Sequence, residues 1–490
     1  RVLFRSVSTD LNSTNETAGD RRIYLEAMVD YNRTFGRHDV NAMLLYNQDE
    51  LVNNVPGNNL INSLPKRKQG LAGRLSYAYD GKYMAEVNMG YNGSENFAKG
   101  HRWGFFPSIA LGYNISDESF FEPLRKVITS MKLRGSWGLV GNDQIGGERF
   151  IYMPTINLSG KGFTTGIDQN YGLSGPVYTR YENNSITWEV GEKINLGIDL
   201  QLLNSLNIVV DIFRETRRDI FQKKGTIPTY LGTGNTDVFG NLAEMKNQGL
   251  DLSIDYNKAF SKDFYMNFKG TFTYAHNEIT KYDEAPKYAF QSKVGQSANV
   301  SQGYLSNGLF LDEAEIDRYN QQMGSTLGAG DIKYLNVSNM HGYGDDIVDV
   351  DDWTWIGNPT VPEIVYGFGP SFKYKNWDFS FFFQGVAKTS LFMSGFHPFG
   401  DNSLRNVLQF VANDRWSPTN QNVDAKYPRL TRKTSLNNTN PGNSGRTSDY
   451  WMRDGSFLKL KNMELGYTFK RMRFYISGSN LLTFSKFDLW

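Results

Sequence analysis

The stretch from Leu71 to Ile115 constrains this chain most, because apolar and polar residues alternate in it through three consecutive segments. The first two segments meet at Asp80-Gly81, a pair typical of a two-residue hairpin turn. Alternation with period two predicts antiparallel β-strands that have one apolar and one polar face. Here the apolar face is bracketed by tyrosines and the polar face carries Arg74 and Glu86. This pattern is typical of a barrel with lipid outside and water inside.

The same alternation recurs along the chain and predicts about 14 strands, or about 16 if a hairpin around Tyr304–Leu311 is included. Links between strands are alternately short and long, as in up-and-down barrels with short periplasmic turns and long extracellular loops. The predicted turns are 32–37, 80–82, 203–206, 258–263, 375–376 and 470–472, and the predicted loops are 47–69, 92–102, 141–190, 222–246, 277–362 and 388–455. The segment Ser116–Thr129 is too long for a tight turn, and its pattern predicts a small amphipathic helix. The predicted fold class is therefore all-β, a large antiparallel transmembrane barrel.

Composition excludes several other classes of protein. The 490 residues carry a net charge of +1 and no basic run, so nothing indicates a nucleic-acid partner. Mean hydropathy is −0.49 and no apolar run approaches the length of a transmembrane helix. The chain contains no cysteine, which excludes disulfides and thiolate metal sites. No signal peptide precedes Arg1, so we expect an exported chain of this sequence to be a fragment.

Soluble sandwiches and propellers are also built from alternating strands, and they are the main alternative. Two features favour the membrane barrel over them. Tyrosines recur at both ends of one face in successive strands. The predicted loops also reach roughly 40–80 residues, whereas connections in compact domains have medians near 4–6.

Five motifs narrow the class of barrel further. The run YNGSENFAKGHRWGFFPSIALGY at 91–113 resembles the SusC/RagA-like branch of TonB-dependent outer-membrane transporters from Bacteroidetes. The same resemblance holds for MKLRGSWGLVGNDQIG at 131–146, IGNPTVPEIVYGF at 356–368, DGSFLKLKNMELGYTF at 454–469 and NLLTFSKFDLW at 480–490. These motifs span nearly the whole chain in the order the family has them. The resemblance implies a 22-stranded barrel filled by an N-terminal plug.

On this basis we expect residues 1–490 to be one transporter β-barrel domain, truncated at both ends and without the plug. The resemblance implies an outer membrane of a Gram-negative bacterium, a SusD-like surface lipoprotein over the external loops, and TonB as the energy source. It implies import of an oligosaccharide or a peptide and no enzymatic activity. A passive or structural barrel and a secreted β-rich glycan-active enzyme are the alternatives.

An acidic cluster at Asp345, Asp346, Asp349, Asp351 and Asp352 lies where the family often has an EF-hand-like calcium loop. When that loop is aligned through Ile356-Gly357, its first two oxygen ligands and its turn glycine are missing here. Calcium needs six to eight oxygen ligands. The candidate ligands are thus Asp345, Asp349 and Asp352, and the sequence favours a solvated acidic loop over an intact site.

No catalytic constellation is evident, since the five histidines are scattered and nucleophile-elbow and P-loop motifs are missing. Several aromatic residues in the predicted loops can either stack on a bound sugar ring or pack the loops together. The sequence does not separate these two roles. The candidates are Tyr171, Tyr178, Tyr181, Trp353, Trp355 and Trp416, with Phe396 and Phe399 as further loop aromatics.

Overall fold

The structure is a computed structural model that describes residues 19–53, 64–146, 149–228, 230, 237–319, 321–322, 327–343, 345–393, 399, 406–432, 438 and 447–487. Its main feature is one antiparallel sheet of fourteen strands in the order β1-β2-β3-β4-β5-β6-β9-β10-β11-β12-β19-β20-β23-β24. These strands are β1 Asp20–Phe35, β2 His38–Asn53, β3 Lys66–Tyr79, β4 Tyr83–Ser94, β5 Trp103–Asn114, β6 Ile128–Asn142, β9 Glu189–Leu202, β10 Leu206–Lys223, β11 Phe239–Ala259, β12 Phe264–Lys281, β19 Ile364–Tyr374, β20 Trp377–Ala387, β23 Phe457–Phe469 and β24 Met472–Ser485. Each strand pairs with the strand of this sheet that follows it along the chain, in an up-and-down order. This confirms the predicted large antiparallel sheet.

In the described parts of the long connections, ten shorter strands pair with one another outside this sheet. They are β7 Thr155–Thr165, β8 Tyr171–Arg180, β13 Ser301–Gly303, β14 Ser306–Leu309, β15 Gln321–Gln322, β16 Ile332–Tyr334, β17 Ile347–Val348, β18 Thr354–Ile356, β21 Ser390–Phe392 and β22 Met452–Asp454. The predicted extra barrel hairpin at Tyr304–Leu311 is therefore wrong. Its residues pair with β16 and with loop segments, because the chain there forms a folded loop and does not cross the sheet.

Within the described residues, helices are few and short. The α-helical segments are Glu313–Arg318, Val337–Met340 and Gln409–Asn413, and the 3-10 segments are Ile115–Asp117, Ser119–Leu124, Ala289–Gln291, Val350–Asp352 and Asp449–Trp451. The predicted helix at Ser116–Thr129 is thus two 3-10 turns, one of which contains Pro123. Among the described residues, no helix is long and apolar enough to span a membrane.

Some turns are tighter than the sequence predicts. The first turn was predicted at 32–37, but β1 runs to Phe35 and only Gly36-Arg37 connect it to β2. Gly36 has a φ of +63°, a conformation that costs glycine little. Asp80-Gly81 lie in the predicted hairpin turn, both with positive φ.

The apolar face of the sheet is exposed along its whole width. Leu111 is 58% exposed, Val87 48% and Ile212 59%, although all three lie in the middle of long paired strands. Apolar rows of this extent are not left uncovered in water. They indicate a face that meets hydrocarbon, while the opposite face carries ion pairs such as Arg74–Glu86, whose Nη2 and Oε2 are 2.6 Å apart.

Aromatic residues line this face at the ends next to the short turns. Directly paired residues form two continuous rows here, Phe35–His38–Tyr79–Tyr83–Tyr113 and Phe264–Tyr374–Trp377–Tyr467–Phe474. At the opposite end, Tyr91 stacks on Trp103 with ring centroids 4.8 Å apart. The eight residues from Tyr83 to Tyr91 cover about 26 Å of strand, or about 20 Å of membrane depth at a 40° tilt. The apolar band between the two aromatic girdles therefore suits a bilayer.

Candidate functional site

The two longest connections, 282–363 and 388–456, fold together on the side opposite the short turns, and we call them the external loop unit. They share a hydrophobic core in which Tyr334 and Trp451 are fully buried and Phe399 is 1% exposed. The core also includes Tyr304, Leu309, Ile332, Val348, Met393, Val411, Trp416, Ala425 and Tyr427. Loops with their own core hold a fixed shape, so this unit can present a preformed surface.

A buried ion pair joins the two halves of the unit. Asp331 is fully buried, and its Oδ1 accepts from the Nε of Arg429 while its Oδ2 accepts from Nη2 at 3.1 Å. The amide of Asn438 donates to the same carboxylate at 2.6 Å. The hydrogen bonds from the Arg429 guanidinium to Asp331 raise the pKa of Arg429 above its ordinary value. The carboxylate thus has the partners that a buried charge requires.

Hydrogen bonds from backbone amides reinforce this junction. Leu309 N–H donates to Val423 O at 3.0 Å, and Ser306 N–H donates to Asp449 Oδ1 at 2.7 Å. Within the second connection, the hydroxyl of Tyr450 donates to Ala425 O at 2.8 Å, and burial raises the pKa of Tyr450 well above its ordinary value. Tyr450 therefore acts as a neutral hydrogen-bond donor.

A second cluster lies under the other long loops. Phe97, Ile145, Ile151, Ile186 and Trp188 are buried against one another. Nearby, Asp143 accepts from Lys68 Nζ and from Ser94 Oγ, both at 2.7 Å. The start of β3 and the loops after β4 and β6 are therefore also tied together.

The structure separates the predicted aromatic candidates into different environments. Tyr171, Tyr178 and Tyr181 lie on or beside the β7–β8 hairpin, and the rings of the last two stack with centroids 5.3 Å apart. All three are exposed, between 37% and 63%. They form an accessible aromatic surface of the kind that a sugar ring or an apolar side chain can cover.

The three tryptophans differ from one another. Trp353 is 40% exposed, whereas Trp416 is 5% exposed inside the loop-unit core. Trp355 is partly buried and its Nε1 donates to Ser292 O at 2.8 Å. Phe399 lies in the core and Phe396 falls outside the described residues. The loop-packing role fits Trp416 and Phe399, and the binding role stays a prediction for the exposed residues.

Trp353 lines a cavity of ≈ 470 Å³ at the edge of the loop unit. Its wall brings together residues from four stretches of the chain, within 223–225, 282–293, 302 and 350–353, and it includes Lys224, Glu284 and Lys293. Glu284 is held in place because its Oε1 accepts from Ser292 Oγ and Lys293 N–H, both at 2.8 Å. An aromatic face beside cations and a carboxylate suits a polar ligand. The sequence offered no signal for these lysines, because they are remote from Trp353 along the chain.

Three carboxylates of the acidic cluster, those of Asp345, Asp349 and Asp352, accept local hydrogen bonds. Asp352 Oδ1 accepts from Ser338 N–H at 2.9 Å and its Oδ2 accepts from Asp349 N–H at 2.8 Å. Asp349 Oδ1 accepts from Asp351 N–H, and Asp345 accepts from the Asn336 amide. Asp352 is fully buried, so the expectation that the whole cluster is solvated is wrong for this residue.

These bonds are those of a capped turn at Val350–Asp352. In the part of the chain that the structure describes, no group of three His, Cys, Asp or Glu side chains is placed to hold a metal ion. A calcium site formed by Asp345, Asp349 and Asp352 stays a prediction that the hydrogen bonds do not favour.

Comparison with known proteins agrees with this architecture. Residues 3–481 match the family described as TonB dependent receptor-like, beta-barrel. TonB-dependent receptor P3 of Formosa agariphila is 26% identical over 439 residues, 85% of this chain and 41% of its own. TonB-dependent receptor SusC of Bacteroides thetaiotaomicron is 28% identical over 82% of this chain and 38% of its own. This chain thus spans less than half the length of these relatives.

Among solved structures, the RagAB peptide transporter superposes with a TM-score of 0.68 at 19% identity, covering 96% of this chain and 52% of that chain. This similarity shows a shared fold. The family match, together with the lipid-facing band and the external loop unit, places the chain in the outer membrane of a Gram-negative bacterium, and the matched family is one of receptors and not of enzymes. The chain belongs to the TonB-dependent receptor-like β-barrel family.

Proposed function

We propose that the protein containing this chain imports oligosaccharides or peptides across the outer membrane. The observation that carries the proposal is the combination of a lipid-facing sheet with a rigid external loop unit that has its own buried core. A simple pore needs no such unit, whereas capture of a scarce nutrient needs a preformed surface above the barrel. The cavity beside Trp353 and the exposed tyrosines of the β7–β8 hairpin supply candidate contacts.

The inner face of the sheet supports passage of polar molecules. Arg134 Nη2 lies 2.8 Å from Asp199 Oδ1 and 3.0 Å from Asp211 Oδ2. Arg473 pairs in the same way with Asp378 and Glu464. These charges are paired across neighbouring strands, so the wall is hydrophilic without a strong field of one sign. Such a wall suits neutral sugars and mixed peptides equally.

The substrate class follows from the relatives and not from a site in this chain. One relative is named SusC, and the structure with the shared fold is that of a peptide transporter. A glycan or a peptide is therefore the proposed cargo. A SusD-like surface lipoprotein over the external loops and TonB as the energy source are the proposed partners.

The test uses the full-length gene in its native host. Deletion should abolish uptake of either fluorescent oligosaccharides or fluorescent peptides, and complementation should restore it. Uptake should also stop when the host's TonB is deleted or its proton gradient is collapsed. Uptake that persists without TonB would favour the passive barrel. If the deletion strain still takes up both oligosaccharides and peptides, the proposed substrate classes are contradicted.

A further inference from the structure

The cavity beside Trp353 lies where strands of the sheet end on the external side. Lys223 on its wall is the last residue of β10, and Tyr282 directly follows the last residue of β12. Trp353 comes from much further along the connection that Tyr282 begins. A molecule held here therefore lies between the strand ends and the folded loops. The volume of ≈ 470 Å³ is within the range of small-ligand pockets, about 300–1,000 Å³.

Trp353 supplies the aromatic surface of this cavity. Tyr282 is the other aromatic residue among those that line it. The Tyr282 ring is already covered, because Lys293 Nζ lies 4.4 Å from its centroid and donates to its hydroxyl at 3.3 Å. The exposed part of the Trp353 indole is thus the surface on which a ligand can pack.

Two polar side chains on the wall are held in place and keep an acceptor atom for a ligand. Glu284 Oε1 accepts from Ser292 Oγ and from Lys293 N–H, whereas Glu284 Oε2 accepts from no residue that the structure describes. Gln302 Nε2 donates to Gln291 O at 2.9 Å, and its Oε1 has no partner in the described ranges. Both oxygens are therefore available to a donor on the ligand.

The charges around the cavity balance one another. Asp283 is held by the loop after β10, since its Oδ2 accepts from Gly225 N–H at 3.0 Å and its Oδ1 from Thr226 Oγ1 at 2.9 Å. The charged residues on the wall or paired with it are three lysines and three carboxylates, namely Lys223, Lys224, Lys293, Asp237, Asp283 and Glu284. With no excess of either sign, the site favours a neutral ligand over an anion or a cation.

A second aromatic surface lies beside the cavity. Val350 lines the cavity, and its neighbour Asp351 is ion-paired with Lys287. Next to Lys287, the ring of Tyr288 packs against the ring of Tyr343 with centroids 4.2 Å apart. Tyr343 is 50% exposed. A ligand longer than the cavity that leaves it on this side therefore meets another exposed ring.

We propose that the cavity holds one ring of a neutral oligosaccharide, with the apolar face of the sugar on Trp353 and its hydroxyls bonded to Glu284 and Gln302. The next units of the chain lie over Tyr343. This inference rests on the proposed import function and narrows the two classes of cargo that the relatives leave open to one of them, the glycans.

The chemistry of the wall favours a sugar over a peptide. A sugar ring has an apolar face, and each of its hydroxyls both donates and accepts, which matches an indole beside fixed acceptors and lysine donors. An extended peptide instead gains affinity mainly when its backbone pairs with a strand edge. The available acceptors at this wall are the side-chain atoms of Glu284 and Gln302.

The test measures binding to the full-length protein in detergent by isothermal titration calorimetry. The probes are neutral hexasaccharides of glucose, galactose, mannose and xylose, then hexagalacturonic acid, and hexapeptides of neutral, acidic and basic sequence. We expect at least one neutral hexasaccharide to bind. Trp353→Ala should weaken that binding at least about tenfold, and Trp353→Phe, which keeps a ring, should weaken it less.

The control is Phe120→Ala, which removes an aromatic side chain that is 68% exposed in the segment Ser119–Leu124 at the other end of the barrel. Its affinity should stay within about twofold of the unmodified protein. Tyr343→Ala should weaken the hexasaccharide and leave binding of the corresponding disaccharide unchanged. Ala285 is exposed on the cavity wall, so Ala285→Trp obstructs the cavity and carries the same expected loss if Trp353→Ala does not fold.

Four outcomes would overturn the proposal: no neutral hexasaccharide binds, a hexapeptide or hexagalacturonic acid binds more tightly, the cavity variants bind as well as the unmodified protein, or the control loses as much. Failure of this assignment differs from failure of the import function. TonB-dependent uptake of peptides without any binding of sugars contradicts the sugar site and leaves import standing. Uptake that is unchanged when the gene is deleted contradicts import itself.

Discussion

Asp331 and Arg429 are 98 residues apart in the chain, yet their side chains form a two-bond ion pair in the core of the external loop unit. The carboxylate is fully buried and the guanidinium side chain is 29% exposed. The pair connects the loop before β19 to the loop after β20, so it fixes the shape of the surface that we assign to ligand capture.

Arg429→Ala should therefore loosen the loop unit while leaving the sheet intact. Removing one partner of a buried pair leaves an uncompensated charge, which costs about 3–5 kcal/mol. Hydrogen exchange of the Leu309 amide, which donates across this junction to Val423 O, should accelerate. The control Lys426→Ala removes an exposed ion pair with Asp414 at 3.8 Å and should cost under about 1 kcal/mol. Equal acceleration in both variants would contradict the structural role of Asp331.

The contrast between Trp353 and Trp416 gives a second prediction. Trp416 packs on Gly330, where an added Cβ would lie 2.3 Å from the indole, and its truncation to alanine should destabilise the loop unit by about 3–5 kcal/mol. Trp353 is 40% exposed at the mouth of a cavity, so Trp353→Ala should weaken cargo retention and leave loop stability nearly unchanged. Two measurements on both variants separate the packing role from the binding role. One is the rate at which a protease cuts the loops, and the other is the affinity for the cargo. Loss of loop stability in Trp353→Ala would assign it to packing instead.

The sequence predicts those parts of the fold whose pattern lies within a single strand or turn. The strands of the sheet were predictable because their two faces meet different solvents, which keeps an apolar residue at every second position, as at Leu206, Ile208, Val210 and Ile212. The strand ends were less predictable, since beyond the girdle charged residues such as Glu50 and Arg67 replace the apolar ones. At the short-turn end of β1, the length of the strand was underestimated for a similar reason, because the charged Arg33 interrupts the apolar row before Phe35.

The loop unit was not predictable in the same way. Ser306 and Asp449 are hydrogen-bonded although 143 residues separate them, and no pattern in either segment predicts this contact. Sequence could name Trp353 and Trp416 as loop aromatics, but their burial depends on contacts between distant segments. The cations beside Trp353 were missed for that reason, and so was the buried position of Asp352.

The acidic cluster gives a prediction about metal dependence. The oxygens of Asp352 and Asp349 already accept backbone N–H groups, so calcium has to displace those bonds to be bound. We expect calorimetric titration with calcium to show no tight uptake and a chelator to leave the melting temperature unchanged. Tight uptake that disappears in Asp345→Ala would instead show a working site.

The loop unit should also open as pH falls below the ordinary range of a glutamate. Partial burial by itself would raise the pKa of Glu315, but the Leu311 N–H and the Lys333 ammonium, both at 2.7 Å, outweigh it and hold the pKa below its usual value. A lowered pKa stabilises the folded form above the unfolded-state pKa, and that stabilisation is lost as pH falls through the lower folded-state value. The protection of the Leu311 amide, measured as its exchange rate relative to the intrinsic rate at each pH, should therefore fall below about pH 4.5. Glu315→Gln should remove this acid dependence, and a variant that keeps it would contradict the assignment.

The last prediction concerns the face that meets hydrocarbon. Ile109 lies midway between Phe105 and Tyr113, the girdle residues at the two ends of β5, and it is 42% exposed. An arginine there would enter the bilayer centre, and Ile109→Arg should lower the free energy of unfolding by about 2–4 kcal/mol. Ser108 is the adjacent residue on the polar face, so Ser108→Arg supplies a control with the same added charge and a much smaller expected cost. Unfolding of the full-length protein by denaturant in lipid vesicles measures both. If Ser108→Arg loses as much stability as Ile109→Arg, or more, the assignment of the Ile109 face to lipid is contradicted. If Ile109→Arg loses more, the alternation that begins at Leu71 identifies the side chains that meet lipid.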